Sequence, residues 1–369
     1  MISLYLIVFI ISVLLSLVAT ILCIWLSYKI NFLDVPLTIS RKNHSKSTPL
    51  LGGTAVFFSF FLIIFFTLIS AYEFKDTLIN SFPFLNEYIN GAMNQNKKLM
   101  FIFIGGFLIY LIGLKDDKDG MQPFTKLITI FLVSLLLFYL DIKITFFIKS
   151  NILTFCMTLM WILFLTNSLN LLDNMDGLCS GVSITCSITM LAVSLILEQY
   201  FISLYLIAFI GVLLGFFYFN FGGGKIFLGD SGALFIGYNL AVITILESFY
   251  ISGKSNIASI FMPAFIFAVP LYDTLSVIII RILNKVPIYK GDLNHISHRI
   301  NRAGYSRKTT VVIIFILSLL SGVSSLVFIV DFNLNIYQTV FSFIILILSI
   351  WLSEFLIKIT MIQFNASKQ

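Results

Sequence analysis

Thr166 to Leu178, T-N-S-L-N-L-L-D-N-M-D-G-L, close an apolar run that begins near Ile152. Polar side chains arrive at three-residue steps, Asn167, Asn170, Asp173 and Asp176. Residues three apart share one face of a helix. The spacing therefore predicts a lipid-suited helix that ends with amides and carboxylates gathered on one side. Gly177 follows as its stop signal. Carboxylates in or beside a membrane helix are costly and mark a functional site. The expectation is that the rest of the chain brings other polar loops to this one.

Composition sets the class. The 369 residues are 59% hydrophobic and only 11% charged, far below the charged quarter of a soluble domain. The chain reads as an all-α, polytopic integral membrane protein. No Lys or Arg precedes Lys29, and the run from Ile2 to Ser27 is too long for a signal h-region, so it reads as a first span. The four cysteines, Cys23, Cys156, Cys179 and Cys186, sit in or against apolar runs and read as packing residues. The segments between spans leave no room for a soluble domain, so residues 1–369 read as one transmembrane domain.

Apolar windows of about 20 residues mark about eleven spans. They are 2–27, 51–72, 99–114, 124–140, 151–169, 178–197, 201–221, 231–251, 257–283, 309–330 and 337–361. Placing the N-terminus outside and the C-terminus in the cytoplasm puts most of the 23 Lys and Arg inside, as the positive-inside rule asks. Asp116, Asp117, Asp119, Asp173, Asp176, Asp230 and Asp292 then share the inner face with His44, His295 and His298. Transporters place ionisable groups near the midplane. Acids at span ends on one face suit an enzyme working at the cytoplasmic surface of a membrane.

The inner segments near 28–50, 115–126, 167–177, 222–232 and 284–308 carry the candidate chemistry. Asp116-Asp117 ends the third span in G-L-K-D-D-K-D-G. Adjacent acids repel unless a cation holds them, and Mg²⁺ takes a few carboxylates plus phosphate oxygens; a solvated turn is the structural alternative. Asp230 lies in F-G-G-G-K-I-F-L-G-D-S-G, where glycines let a backbone approach an anion; there Asp230 or Ser231 could instead simply cap the next helix. G-D-L-N-H-I-S-H-R-I-N-R-A-G-Y-S-R-K places His295 and His298 at helical spacing beside Arg299 and Arg302. These are donors for phosphate, or else a basic loop that only orients the chain. Residues 41–54 form a second basic loop, entering the second span through Pro49 and Gly52-Gly53. Asp273, inside the ninth span near Pro270, is either a buried structural acid or part of the site.

In order, these motifs resemble the polyprenyl-phosphate N-acetylhexosamine-1-phosphate transferases of glycosyltransferase family 4. The matching pieces are K-x-H…T-P-x-x-G-G at 42–53, G-x-x-D-D at 113–117 and N-x-x-N-x-x-D-x-x-D-G-L at 167–178. F-L-G-D-S-G at 227–232, P-L-Y-D-T at 270–274 and H-I-x-H-R…R-A-G-Y-S at 295–306 complete the series. The last looks most like the bacterial branch that uses UDP-N-acetylglucosamine and undecaprenyl phosphate, and less like the branch that transfers phospho-MurNAc-pentapeptide. The family commonly has glycine where Asn174 stands, histidine where Ser297 stands and arginine where Leu50 stands. These departures leave the site short of one imidazole and one cation and bear on which sugar is accepted.

The resemblance implies a reaction and a site. Undecaprenyl phosphate and a UDP-N-acetylhexosamine give undecaprenyl-diphosphate-N-acetylhexosamine and UMP, with Mg²⁺ (or Mn²⁺) as cofactor. The location implied is the bacterial inner membrane, with the active site facing the cytoplasm. By this reading Asp230 and Asp117 serve the metal, and Asp116, Asp117, Asp173 and Asp176 are catalytic. Asn167, Asn170, Lys126, His295, His298, Arg299 and His44 bind substrate. The resemblance allows a homodimer; no nucleic acid is expected. Direct transfer and a phospho-enzyme route both remain open. A transporter of an anionic nucleotide-linked substrate is the rival reading.

Overall fold

The computed structural model describes residues 2–35, 47–81, 86, 89, 96–144, 149–250, 257–289 and 292–330, and 340, 344, 347, 348, 351 and 354 near the C-terminus. His44 and most of the span expected at 337–361 lie outside the described residues.

Helix α1 (Ile2–Lys29) leads to a short antiparallel ribbon, β1 (Leu33–Asp34) with β2 (Thr48–Pro49), and then α2 (Gly52–Glu73). α3 (Lys75–Ser81), α4 (Asn96–Asp119), α5 (Pro123–Tyr139) and α6 (Asn151–Leu172) follow. Next come α7 (Leu178–Ile196), α8 (Tyr200–Asn220) and α9 (Gly229–Leu246). A 3₁₀ turn (Ile257–Phe261) enters α10 (Met262–Ile266) and α11 (Ala268–Leu283). α12 (Ile296–Arg302), α13 (Arg307–Ser325) and α14 (Val327–Val330) close the described chain.

Among the described residues eight helices are long and apolar enough to cross a membrane, or nine if one bent pair is a single span; α5 is a shorter apolar helix. The architecture is all-α and polytopic. The third span, expected to stop at 114, continues through Asp116-Asp117 to Asp119. Lys and Asp do not break a helix, so a drop in hydropathy there marked the membrane edge and not the helix end.

Small residues set the packing, as they must where lipid removes the hydrophobic drive between helices. The buried face of α1 is Val8, Ser12, Ser16, Thr20, Cys23 and Ser27. It lies on α8, where a Cβ at Gly211 or Gly215 would stand 2.7 Å from the Cβ of Ser12 or Ser16. Ser16 Oγ also donates to the Val212 carbonyl at 2.6 Å.

α9 is the central element. Its residues from Ser231 to Thr244 are buried throughout, against α2, α4, α6 and α7. Two glycines let the backbones close on its amino end. A Cβ at Gly113 would lie 2.4 Å from Ser231 Cα, and one at Gly53 would lie 2.2 Å from Gly232 N.

The expected ninth span is broken. Ser259–Ile266 and α11 meet at Phe267 with a 66° bend. Pro270 has no N–H for the Ile266 carbonyl, one turn back. Cys186 Sγ donates to that carbonyl at 3.1 Å, and Ser321 Oγ donates to the Phe265 carbonyl. Backbone groups freed inside a membrane must be satisfied from neighbouring helices, and here they are.

Gly113→Ala forces α4 off α9. The expected cost is about 1–3 kcal/mol, read as a lower melting temperature of the detergent-solubilised protein. An unchanged midpoint would contradict the close approach.

Candidate active site

The first turn of α9 leaves N–H groups without helical partners. Its N-cap, Leu228, supplies no side-chain bond. Asp117 does so from the last turn of α4: its carboxylate accepts from Asp230 N at 2.7 Å and Ser231 N at 3.0 Å. Gly229, at φ +72°, makes room, since a Cβ there would lie 2.6 Å from Asp117 Oδ2. The capping role considered for Asp230 or Ser231 therefore belongs to a residue of another helix. Lys126, in the first turn of α5, bridges Asp116 and Asp230. Asp116 also accepts the Met121 N–H. The acid pair is thus helical and engaged, where a solvated turn was the alternative reading.

The stripe that opened the sequence reading divides. α6 ends at Leu172, so Asn167 and Asn170 lie on the helix, while Asp173 is its C-cap and Asp176 belongs to the following turn. Asn167 Nδ2 donates to the Leu163 carbonyl at 2.7 Å. Asn170 Oδ1 is buried with no hydrogen-bond partner among the described residues. Burial raises the Asp173 carboxyl well above the usual carboxylate range, and the charges of Asp230, Asp117 and Asp176 push it further. Gly177, at φ +80°, starts α7 instead of ending α6. Its N–H donates to Asn220 Oδ1 at 2.8 Å, and Asn220 Nδ2 donates to the Ile226 carbonyl at 2.9 Å. Asn220 thereby ties the acid turn to the glycine-rich loop. There a Cβ at Gly224 would meet the Asp176 carboxylate at 3.1 Å.

The basic segment reaches the same turn. Asp273 is fully buried, accepts Ile296 N at 2.6 Å and holds His295 Nδ1 at 2.7 Å. This settles its two readings in favour of a buried anchor for α12. His295 precedes that helix as its N-cap, so the two histidines do not share a helical face. Their ring centroids are nonetheless 6.4 Å apart. Burial lowers the His298 pKa, and His295, Arg302 and Arg307 lower it further. Ser297 Oγ donates to Asn174 Oδ1 at 2.5 Å. The two positions that depart from the expected glycine and histidine therefore bond to each other. Arg299 is engaged by Glu354, stands 5.9 Å over the Tyr272 ring and donates to Ser276 Oγ at 3.2 Å. Glu354 was missed because it sits within an apolar run; a lone acid in such a run is itself the signal.

The hydrogen bond between Asn174 and Ser297 predicts coupling. In a double-mutant cycle with Asn174→Ala and Ser297→Ala, melting should show an interaction of about 0.5–1.5 kcal/mol. Additive losses would mean that the turn and α12 are independent.

Residues 99–248, which carry Asp116, Asp117, Lys126, Asp173 and Asp230, match the family model for glycosyl transferase family 4. The chain is 28% identical over 327 residues to a probable undecaprenyl-phosphate N-acetylglucosaminyl 1-phosphate transferase of Bacillus subtilis, an alignment covering 86% of this chain and 83% of the relative. It is 25% identical over 302 residues to a decaprenyl-phosphate N-acetylglucosaminephosphotransferase of Mycobacterium tuberculosis, covering 75% and 71%. A phospho-N-acetylmuramoyl-pentapeptide-transferase of Staphylococcus epidermidis is 26% identical over 306 residues, covering 77% and 87%. The family match falls on the helices and turns that build the acid cluster, and the relatives align over most of the chain: over these residues the chain is similar to glycosyl transferase family 4.

Proposed function

We propose that the chain transfers N-acetylhexosamine 1-phosphate from a UDP-sugar to undecaprenyl phosphate, with N-acetylglucosamine as the favoured sugar. The reaction releases UMP at the cytoplasmic face of a bacterial inner membrane, as the first membrane step of a cell-surface glycan. The observation that carries this reading is the meeting of Asp116, Asp117, Lys126, Asp173 and Asp230 at one end of a membrane-crossing bundle. Two of the relatives named above act on polyprenyl phosphates by their names, and a lipid phosphate and a cytosolic nucleotide can meet only at such an end.

The donor set fits a hard divalent cation. Among the described residues no three His, Cys, Asp or Glu side chains already surround one point. Mg²⁺, however, is commonly held by one or two carboxylates with substrate phosphates and water. Asp116 and Asp230 share one lysine here, Asp117 lies beside them, bonded to the α9 backbone, and the charge of Asp230 and Asp117 helps raise the nearby Asp173 carboxyl. Asp230 with Asp116 or Asp173 would hold the ion. Bound Mg²⁺ supplies charge neutralisation to the transferring and leaving phosphates.

The chain's own residues would do the rest by positioning and electrostatics, which dominate phosphoryl transfer. An oxygen of the lipid phosphate attacks the sugar-bearing phosphorus, the bond to the uridylyl phosphate breaks, and UMP leaves. Asp117 sets the place of Asp230 through the α9 backbone. Lys126, poised between Asp116 and Asp230, would turn to the incoming phosphate. Asn167 and Asn170 would bind the nucleotide side, with Asp176 beside the glycine-rich loop. His298 and, behind it, His295 would face the sugar or diphosphate.

Membranes carrying the protein, given UDP-N-acetylglucosamine, Mg²⁺ and undecaprenyl phosphate, should release UMP and form lipid-linked sugar. Uptake of intact nucleotide sugar, or no cleavage across a panel of UDP-N-acetylhexosamines, would refute the proposal. Asp230→Asn should lower turnover by roughly a hundredfold or more while the protein still inserts. EDTA should abolish turnover and Mg²⁺ restore it; activity that survives chelation would contradict the metal assignment.

A further inference from the structure

The opposite end of α9 carries a second polar group with no task in the proposed transfer. Glu247 follows the last residue of α9. At about 1.5 Å of rise per residue it lies roughly 25 Å from Asp230, near the other membrane face. It is 4% exposed, and neither carboxylate oxygen has a hydrogen-bond partner among the described residues. An ionisable group buried without partners is expensive unless something else completes it.

Glu247 lines a cavity of about 400 Å³, a size suited to a small ligand or a head group. Trp161 lines the same cavity, and its Nε1 is likewise buried with no partner. Lys143 stands in the wall as well, paired with the exposed Asp141 at 2.7 Å. Phe249 and Phe261 supply aromatic surface. The cavity wall therefore holds a buried acceptor, a buried neutral donor and a cation among largely apolar residues. Ile144 and Trp161 also line an adjoining groove of about 420 Å³, whose other walls are Met157, Met160 and Phe164. That groove is almost wholly apolar.

We infer that this cavity and groove bind one phospholipid of the surrounding leaflet, a zwitterionic one with an amine in its head group. Charge complementarity selects the occupant. The ammonium meets Glu247, where aromatic rings add cation–π attraction. The phosphate meets Lys143 and the Trp161 N–H. An acyl chain follows the groove past Met157, Met160 and Phe164. A lipid with an anionic head group and no amine would satisfy Lys143 and Trp161 but leave Glu247 alone. The site is separate from the acid cluster, so it supplies an anchor or a regulatory contact and no reacting group.

The test is native mass spectrometry of the purified full chain in detergent, titrated with phosphatidylethanolamine and with phosphatidylglycerol. Phosphatidylethanolamine should bind at least about tenfold more tightly, the scale of one charge-assisted hydrogen bond. Glu247→Gln, nearly isosteric, should erase that preference and leave turnover of the proposed reaction unchanged at saturating lipid. Trp161→Phe, which removes only the N–H donor, should weaken both lipids alike. Equal affinity of the wild type for the two lipids, or an undiminished preference in Glu247→Gln, overturns the assignment.

Discussion

One carboxylate holds the site together. Asp117 accepts the first free N–H groups of α9, at the positive end of a helix dipole, where negative charge is favoured. Because the bond is to backbone, it places the Cα of Asp230 relative to α4 whatever the Asp230 side chain does. Gly113 and Gly229 exist in that position for the same contact, since each lacks a Cβ that would separate the two helices. Lys126 then bridges Asp116 and Asp230 across the gap. A chain this poor in charge spends several of its acids at one helix end, against the cost of burying them together.

The membrane explains the surrounding choices. Serine, threonine and glycine line the helix contacts because close approach, not hydrophobic burial, drives association in lipid. The same economy appears at the bend of α10 and α11, where Cys186 and Ser321 supply the donors that Pro270 and the break remove. The bend brings Asp273 to the amino end of α12, so it reaches from the bundle core to the histidine segment.

Much of this was legible in the residues. Among the described residues hydropathy located the long apolar helices, and the polar clusters at their ends marked which loops to bring together, because each carried groups that lipid would reject. Helix ends were harder to read. Asp116 and Asp117 are polar but do not interrupt a helix, and α6 stops at Leu172 although the three-residue step of polar side chains runs on to Asp176. Partnerships between distant residues left no local trace: nothing near Ser297 announces Asn174, and nothing near Asp117 announces the backbone of Asp230. Glu247 and Glu354 were passed over because each was hidden within a window whose average was apolar. Similarity to glycosyl transferase family 4 gives these residues a shared context, but the contacts among them come from the fold.

Whether α9 presents Asp230 to a metal–diphosphate is read by titrating Mn²⁺ into the purified protein, followed by electron paramagnetic resonance, with and without UDP. One tightly held ion should appear with UDP and be lost in Asp230→Asn. An ion bound equally by wild type and variant, or no UDP-dependent ion at all, would contradict it.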